Sequence, residues 1–182
     1  TTYENKYTKE KVISEETSYM ITNVLVDTVR DSWSGSINIS GTEVAGKTGT
    51  TNLDTATQKA QNLPADLIPD SWNIRYNPEY SIALWYGYDR HRTDYYMNTN
   101  TGWTARSRIM EALARNIYST NKTFKRPSGV ISVEVEKETV PLMLASEYTP
   151  EDMRMTELFK EGTEPTETSI RYQKLEAPTG GK

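Results

Sequence analysis

Apolar positions recur at helical spacing after Ser14-Glu15-Glu16. Met20, Ile21, Val24, Leu25 and Val29 trace one stripe and predict a helix from about Glu15 to Asp31 with that stripe buried. Ser14 can cap the free amides, and the two early carboxylates complement the helix dipole. The stretch before it, Thr1 to Ile13, is polar and without period until Val12 and Ile13, and reads as an incoming strand or loop. Ser32 to Gly41, rich in Ser, Gly and Asn, reads as a loop, and Glu43 to Thr50 as a strand in which Gly46 and Gly49 flank Lys47. Thr51 to Asp70 is polar, holds Pro64 and Pro69, and is predicted to be one long loop. Aromatic and β-branched residues on both sides of Asn77-Pro78-Glu79 predict a hairpin of Ser71 to Tyr76 and Tyr80 to Tyr88. After a loop holding His91 and Asn98-Thr99-Asn100, the residues Ile109, Met110, Leu113, Ala114 and Ile117 predict an amphipathic helix from about Thr104 to Ser119, covering one sheet face. Pro127-Ser128-Gly129 breaks the pattern and places a domain boundary near residue 127. Ile131, Val133 and Val135 then alternate as in a short half-exposed strand. Beyond Pro150 the chain is acidic, holds Met153, Met155, Leu158 and Phe159, and ends in Gly, Thr, Pro and Glu, a tail expected to be disordered.

Composition narrows the possible chemistry. A chain of 182 residues suffices for one domain with a core, or for part of a larger domain plus an appendage. With 35% apolar and 25% charged residues it should fold. Four Trp and twelve Tyr against two Phe give the aromatic content a polar tip, suited to partly wet walls and sheet surfaces. A net charge of −4 argues against nucleic acid as a partner, because phosphate binding needs clustered Lys and Arg. The small basic run Lys122 to Arg126 reads as a solvated linker. The lack of cysteine excludes disulfides and thiolate metal sites. The single His91, read as a surface loop residue, leaves no basis for a His-based zinc site or a Ser-His-Asp triad within this chain. Acyl-transfer chemistry here would need another base. No apolar run approaches the roughly 20 residues needed to span a bilayer, and Thr1 does not open a signal-peptide pattern. Neither point bears on an anchor upstream.

The sharpest signal is Val44-Ala45-Gly46-Lys47-Thr48-Gly49-Thr50. A strand that meets a bound ligand edge-on needs glycine where a side chain would block the approach. The Lys47 ammonium can hold a substrate carboxylate and assist proton movement between hydroxyls. Thr48 and Thr50, two residues apart on a strand, face the same side and can grip that carboxylate together.

This element resembles the Lys-Thr-Gly element of penicillin-binding proteins and class A β-lactamases. The wider string Ala45 to Asn52, the helix from Glu15, Asp70-Ser71-Trp72, Trp85-Tyr86-Gly87-Tyr88-Asp89 and Glu161-Gly162-Thr163-Glu164-Pro165 are similar to class A penicillin-binding proteins. The resemblance spans nearly the whole chain, strongest from Glu15 to Asp89 and weakest after Pro127. It implies an α+β fold, the C-terminal part of a β-lactamase/DD-transpeptidase-like domain over residues 1–127. In that fold an antiparallel sheet carries the first helix and the helix from Thr104. A small β-containing appendage with a flexible tail occupies 128–182. It implies catalytic roles for Lys47 and Thr50, the latter through its backbone amide as half of an oxyanion hole. It implies substrate binding by Lys47, Thr48, Gly49 and Thr50, with no cofactor and no metal.

The family mechanism also needs a Ser-x-x-Lys nucleophile and a Ser-x-Asn element upstream of Lys-Thr-Gly. Ser119-Thr120-Asn121-Lys122 follows the strand instead, and Ser36-Ile37-Asn38 lies in the loop leading directly into it, so both read as coincidences. The expectation is therefore a truncated transpeptidase domain, silent alone and joined in its parent protein to a nucleophile-bearing half, a glycosyltransferase domain and a membrane anchor. The expected partners are peptidoglycan stem peptides and β-lactams, at the extracytoplasmic face of a bacterial membrane. The rival readings are a non-catalytic module that binds cell-wall peptide or protein, and a β-rich surface protein with a chance motif. Trp72, Trp85, Tyr86 and Tyr88 read as sheet packing rather than a stacking platform. Glu147, Glu151, Asp152, Glu157 and Glu161 read as a solvated face rather than a calcium loop. The enzyme reading requires Lys47 to line a groove rather than point into bulk water.

Overall fold

In the computed structural model, residues 8, 10–31 and 39–173 are described. Ser36-Ile37-Asn38, most of the opening stretch and the tail from residue 174 lie outside them. The chain divides into two compact units, one of residues 21–125 and the other of residues 1–20 with 126–182. The α+β class expected from the sequence holds, with helices and two antiparallel sheets.

The 21–125 unit is built on a three-stranded antiparallel sheet of β1 (Ala45–Thr50), β2 (Asp70–Tyr76) and β3 (Ser81–Gly87), in that order. Asn77 closes the β2–β3 hairpin, its Oδ1 accepting the backbone amides of Glu79 and Tyr80 at 3.0 and 2.7 Å. Helix α1 (Glu15–Asp31) begins and ends where its pattern predicts, yet the buried stripe differs. Thr22 and Val29 are buried, while Ile21 and Val24 are exposed. The helix carries apolar residues on more than one face, and the inward face is fixed by Val29 in the core and by the Thr22 hydroxyl, 3.0 Å from that of Tyr76.

The predicted loop after β1 is not structureless. It contains a short helix α2 (Thr55–Ala60), capped by Asp54, whose carboxylate accepts the Thr57 amide at 2.9 Å. Helix α3 runs Thr99–Ile117, starting five residues before the expected Thr104. Asn98 caps it by accepting the Thr101 amide at 2.8 Å, so Thr99 and Asn100 belong to its first turn rather than to a loop. Its buried residues are Gly102, Arg106, Met110 and Ala114, a stripe at spacing four that packs on β2 and β3. Val29, Val44, Met110, Ala114 and Tyr118 form the core, with Ile39, Ile82 and Leu84 against it. A Cβ on Gly102 would fall 2.7 Å from Met97 Sδ and 2.9 Å from Ile68 Cδ1, so the first turns of α3 sit directly on that apolar pair.

The other unit carries a second sheet, β4 (Val130–Glu136), β5 (Met143–Leu144) and β6 (Arg154–Lys160), in the order β5-β4-β6. Strand β6 was not expected from sequence: its apolar residues do not alternate strictly, and a three-residue 3-10 turn, Glu151–Met153, leads into it. Glu136, fully buried, accepts hydroxyls from Thr149 at 2.7 Å and Ser169 at 3.0 Å. Arg154 donates to the carbonyls of Thr149, Ser146 and Glu147 and to the Glu134 carboxylate. A sheet this small is held together by those polar anchors around the buried Val130 and Val135.

Candidate functional site

Strand β1 lies at one end of its sheet, so among the described residues one of its edges has no partner strand. Antiparallel register sets Lys47 opposite Ile74, Gly49 opposite Trp72 and Thr50 opposite Ser71, and β3 continues the rows with Ala83, Trp85 and Tyr86. Alternation then puts Lys47, Gly49, Ile74, Trp72 and Trp85 on one face, and Gly46, Thr48, Thr50, Arg75, Asn73 and Ser71 on the other. The first face is open. Trp72, Ile74 and Trp85 are 42%, 43% and 38% exposed, and Lys47 is exposed among them, its ammonium donating to the Thr48 carbonyl at 3.1 Å. The second face is covered by α3. The four residues of the Lys-Thr-Gly-Thr string therefore share a strand rim but not a sheet face. Around Lys47 the described residues form a single wall, open on its far side.

Two residues to which sequence reading gave no role, Arg106 and Asp70, stabilise this strand. Arg106, on the inner stripe of α3 and 3% exposed, donates through Nη1 to the Thr50 hydroxyl at 2.9 Å, the Ser71 hydroxyl at 3.0 Å and the Trp72 carbonyl at 3.4 Å. Asp70 accepts the Thr51 hydroxyl at 2.8 Å and the Trp85 indole N–H at 2.9 Å, fixing the exit of β1 and the edge of the aromatic row. A charged residue within an apolar period gives no signal of burial, and an aspartate beside a tryptophan is read only through resemblance.

The two glycines differ. A Cβ on Gly46 would lie 2.4 Å from Arg75 Cδ and 2.5 Å from the Ile74 carbonyl oxygen, whereas one on Gly49 meets only Trp72 Cβ, at 3.4 Å. Gly46 is glycine because Arg75 lies across it. Of the two, Gly49 alone could take a methyl group without a clash.

The Ser119-Thr120-Asn121-Lys122 string has another use. Lys122 pairs with Glu79 at 2.7 Å, and Ser119 also hydrogen-bonds to that carboxylate, which is held below its usual range by Lys122 first. Its backbone joins the lead-in to β1, where Lys122 O accepts the Glu43 amide at 2.8 Å and Glu43 accepts the Phe124 amide at 2.6 Å. His91 is half-buried in the loop after β3. Among the described residues no group of three or more His, Asp or Glu is placed to hold a metal ion, and no helix is long and apolar enough to cross a membrane.

A rim strand reading Lys-Thr-Gly-Thr, backed by a hairpin and a long C-terminal helix, defines a class that comparison with known proteins identifies. Residues 2–119 match the penicillin binding protein transpeptidase domain, and the chain belongs to that family. Residues 126–174 match the penicillin-binding protein 1A C-terminal domain. Penicillin-binding protein 1A/1B of Bacillus subtilis (strain 168) is 33% identical over 167 residues, covering 92% of this chain and 18% of the relative. Penicillin-binding protein 1F of the same organism is 25% identical over 147 residues, 80% of this chain and 19% of that protein. Penicillin-binding protein 1A of Pseudomonas aeruginosa is 32% identical over 85 residues, 46% of this chain and 9% of that protein. The chain thus spans under a fifth of the length of these relatives.

Proposed function

We propose that this chain supplies the Lys-Thr-Gly wall of a serine DD-transpeptidase that cross-links peptidoglycan, together with an upstream segment that brings the Ser-x-x-Lys nucleophile and its base. Residues 1–127 are then the C-terminal part of the transpeptidase domain and 128–182 its appendage. The observation that carries this reading is Lys47, exposed on the rim strand of a sheet within the stretch that matches the transpeptidase domain. The open aromatic row beside it is where a second wall belongs, and the much greater length of the relatives leaves room for one. The parent protein works at the extracytoplasmic face of the membrane, anchored through its upstream part.

The chemistry follows from the residues. A stem peptide laid along the free edge of β1 meets the Lys47 ammonium with its terminal carboxylate. The serine Oγ attacks the penultimate D-alanine carbonyl, the terminal D-alanine leaves, and an acceptor amine then takes the acyl group. A β-lactam stops at the acyl stage. The Thr50 backbone N–H serves as an oxyanion donor. The Thr50 hydroxyl accepts from Arg106, which leaves its own proton free to donate to an anionic ligand. Thr48 and Gly49 line the same rim. Nucleophile and base act as a unit, so this chain without them is silent.

Labelling with fluorescent penicillin tests the reading. This chain alone should stay unlabelled, and the chain joined to its upstream segment should label covalently. Lys47→Ala in the joined protein should slow labelling on the order of 100-fold. Equal labelling of wild type and Lys47→Ala would overturn the assignment, and no labelling of the joined protein would leave a binding module.

A further inference from the structure

Beneath β1, between the sheet and α3, lie two arginines that the proposed acyl transfer does not explain as a pair. Arg75 is 2% exposed and Arg106 3%. The acceptors of Arg106 are two hydroxyls and a carbonyl, all neutral. Among the described residues, the Nε of each arginine is buried without a hydrogen-bond partner, as are Asn73 Oδ1 and the Tyr118 hydroxyl. Among the described residues no carboxylate pairs with either cation, and the one aromatic face near Arg106 is the Trp103 ring, 5.9 Å from its guanidinium carbon. Burial first, and then Arg106, push the Arg75 proton affinity down, with Tyr118 the one opposing group, while burial alone lowers that of Arg106.

Buried charges in proteins are paired, because an isolated ion in a low-dielectric interior is far costlier than a neutral polar group. A water molecule could satisfy the open donors, but it would leave both positive charges without a counter-charge. A single anion satisfies the donors and offsets the charge. We propose that Arg75 and Arg106 are the cationic half of a buried anion site behind β1, with the Tyr118 hydroxyl as a further donor. It is completed by one small anionic group, a free inorganic ion such as chloride or a carboxylate oxygen from elsewhere in the parent protein.

The probe is chloride. Thermal unfolding of this chain is followed in rising sodium chloride, with sodium isethionate holding ionic strength constant. The chloride-35 NMR line width is measured in parallel on the folded chain. The expected result is a Tm that climbs with the logarithm of chloride concentration, a chloride line broadened by wild type, and loss of both in Arg75→Met. Should Arg75→Met fail to fold, the wild-type line width and its sharpening by competing inorganic phosphate still decide the matter. A Tm indifferent to anion identity at matched ionic strength, with no line broadening, would overturn the proposal. The same titration on the chain joined to its upstream segment separates the sources. A retained response means a free anion, and a lost response means a carboxylate that has taken the site.

Discussion

Gly46 and Gly49 flank the same lysine but meet different neighbours, so alanine separates folding from ligand clearance at two adjacent points. Gly46→Ala drives a methyl group into Arg75 Cδ and the Ile74 carbonyl and should cost about 1–3 kcal/mol in urea unfolding. Gly49→Ala meets only Trp72 Cβ at ordinary distance and should leave stability within about 0.5 kcal/mol while slowing penicillin labelling of the joined protein. Tyr118 gives a pH test. Burial raises its hydroxyl to about 12, against the opposing pull of Arg75. Its folded-state stabilisation is complete below about pH 10 and is lost as pH rises toward 12, on the order of 2 kcal/mol across that window. Tyr118→Phe should flatten that part of the stability–pH profile. Lys47, Thr48, Gly49 and Thr50 stood out as a set in the sequence because the string resembles the Lys-Thr-Gly element of a known family. Arg75 and Arg106 did not, because a charged residue is assigned to solvent unless its burial can be seen, and theirs depends on strand register and on the packing of α3.

Among the elements, α3 shows what periodicity reveals and what it misses. Its apolar period located the helix body but not its start, because the first turn is built from Thr and Asn and is defined by the Asn98 cap. Asn98→Ala should cost about 1 kcal/mol by denaturant titration, and Asn98→Asp should cost little, since it keeps the accepting oxygen. The hairpin was legible to within a residue at each strand end, its turn fixed by a single asparagine side chain. Strand β6 and helix α2 were not: β6 depends on pairing with β4, a long-range contact that local pattern does not encode, and α2 is too short to show a period.

In the molecule as a whole, two units with separate cores should respond separately to injury. Val135→Ala, at a fully buried position of β4, should lower hydrogen-exchange protection in β4 and β6 by on the order of 2 kcal/mol and leave β1–β3 unchanged. Met110→Ala should do the reverse, at a cost of about 2–5 kcal/mol. Protection lost across both sheets in either variant would mean that the units unfold as one. The rim of β1, without a partner strand among the described residues, has one more consequence. An unpaired strand invites another copy to zip onto it, and natural sheets discourage this with a charge on the edge. Within Ala45–Thr50 the only charge is the ammonium of Lys47. The residue proposed to hold substrate should thus also discourage pairing between copies, and a Lys47→Ala preparation should self-associate more readily than Lys47→Arg in analytical ultracentrifugation.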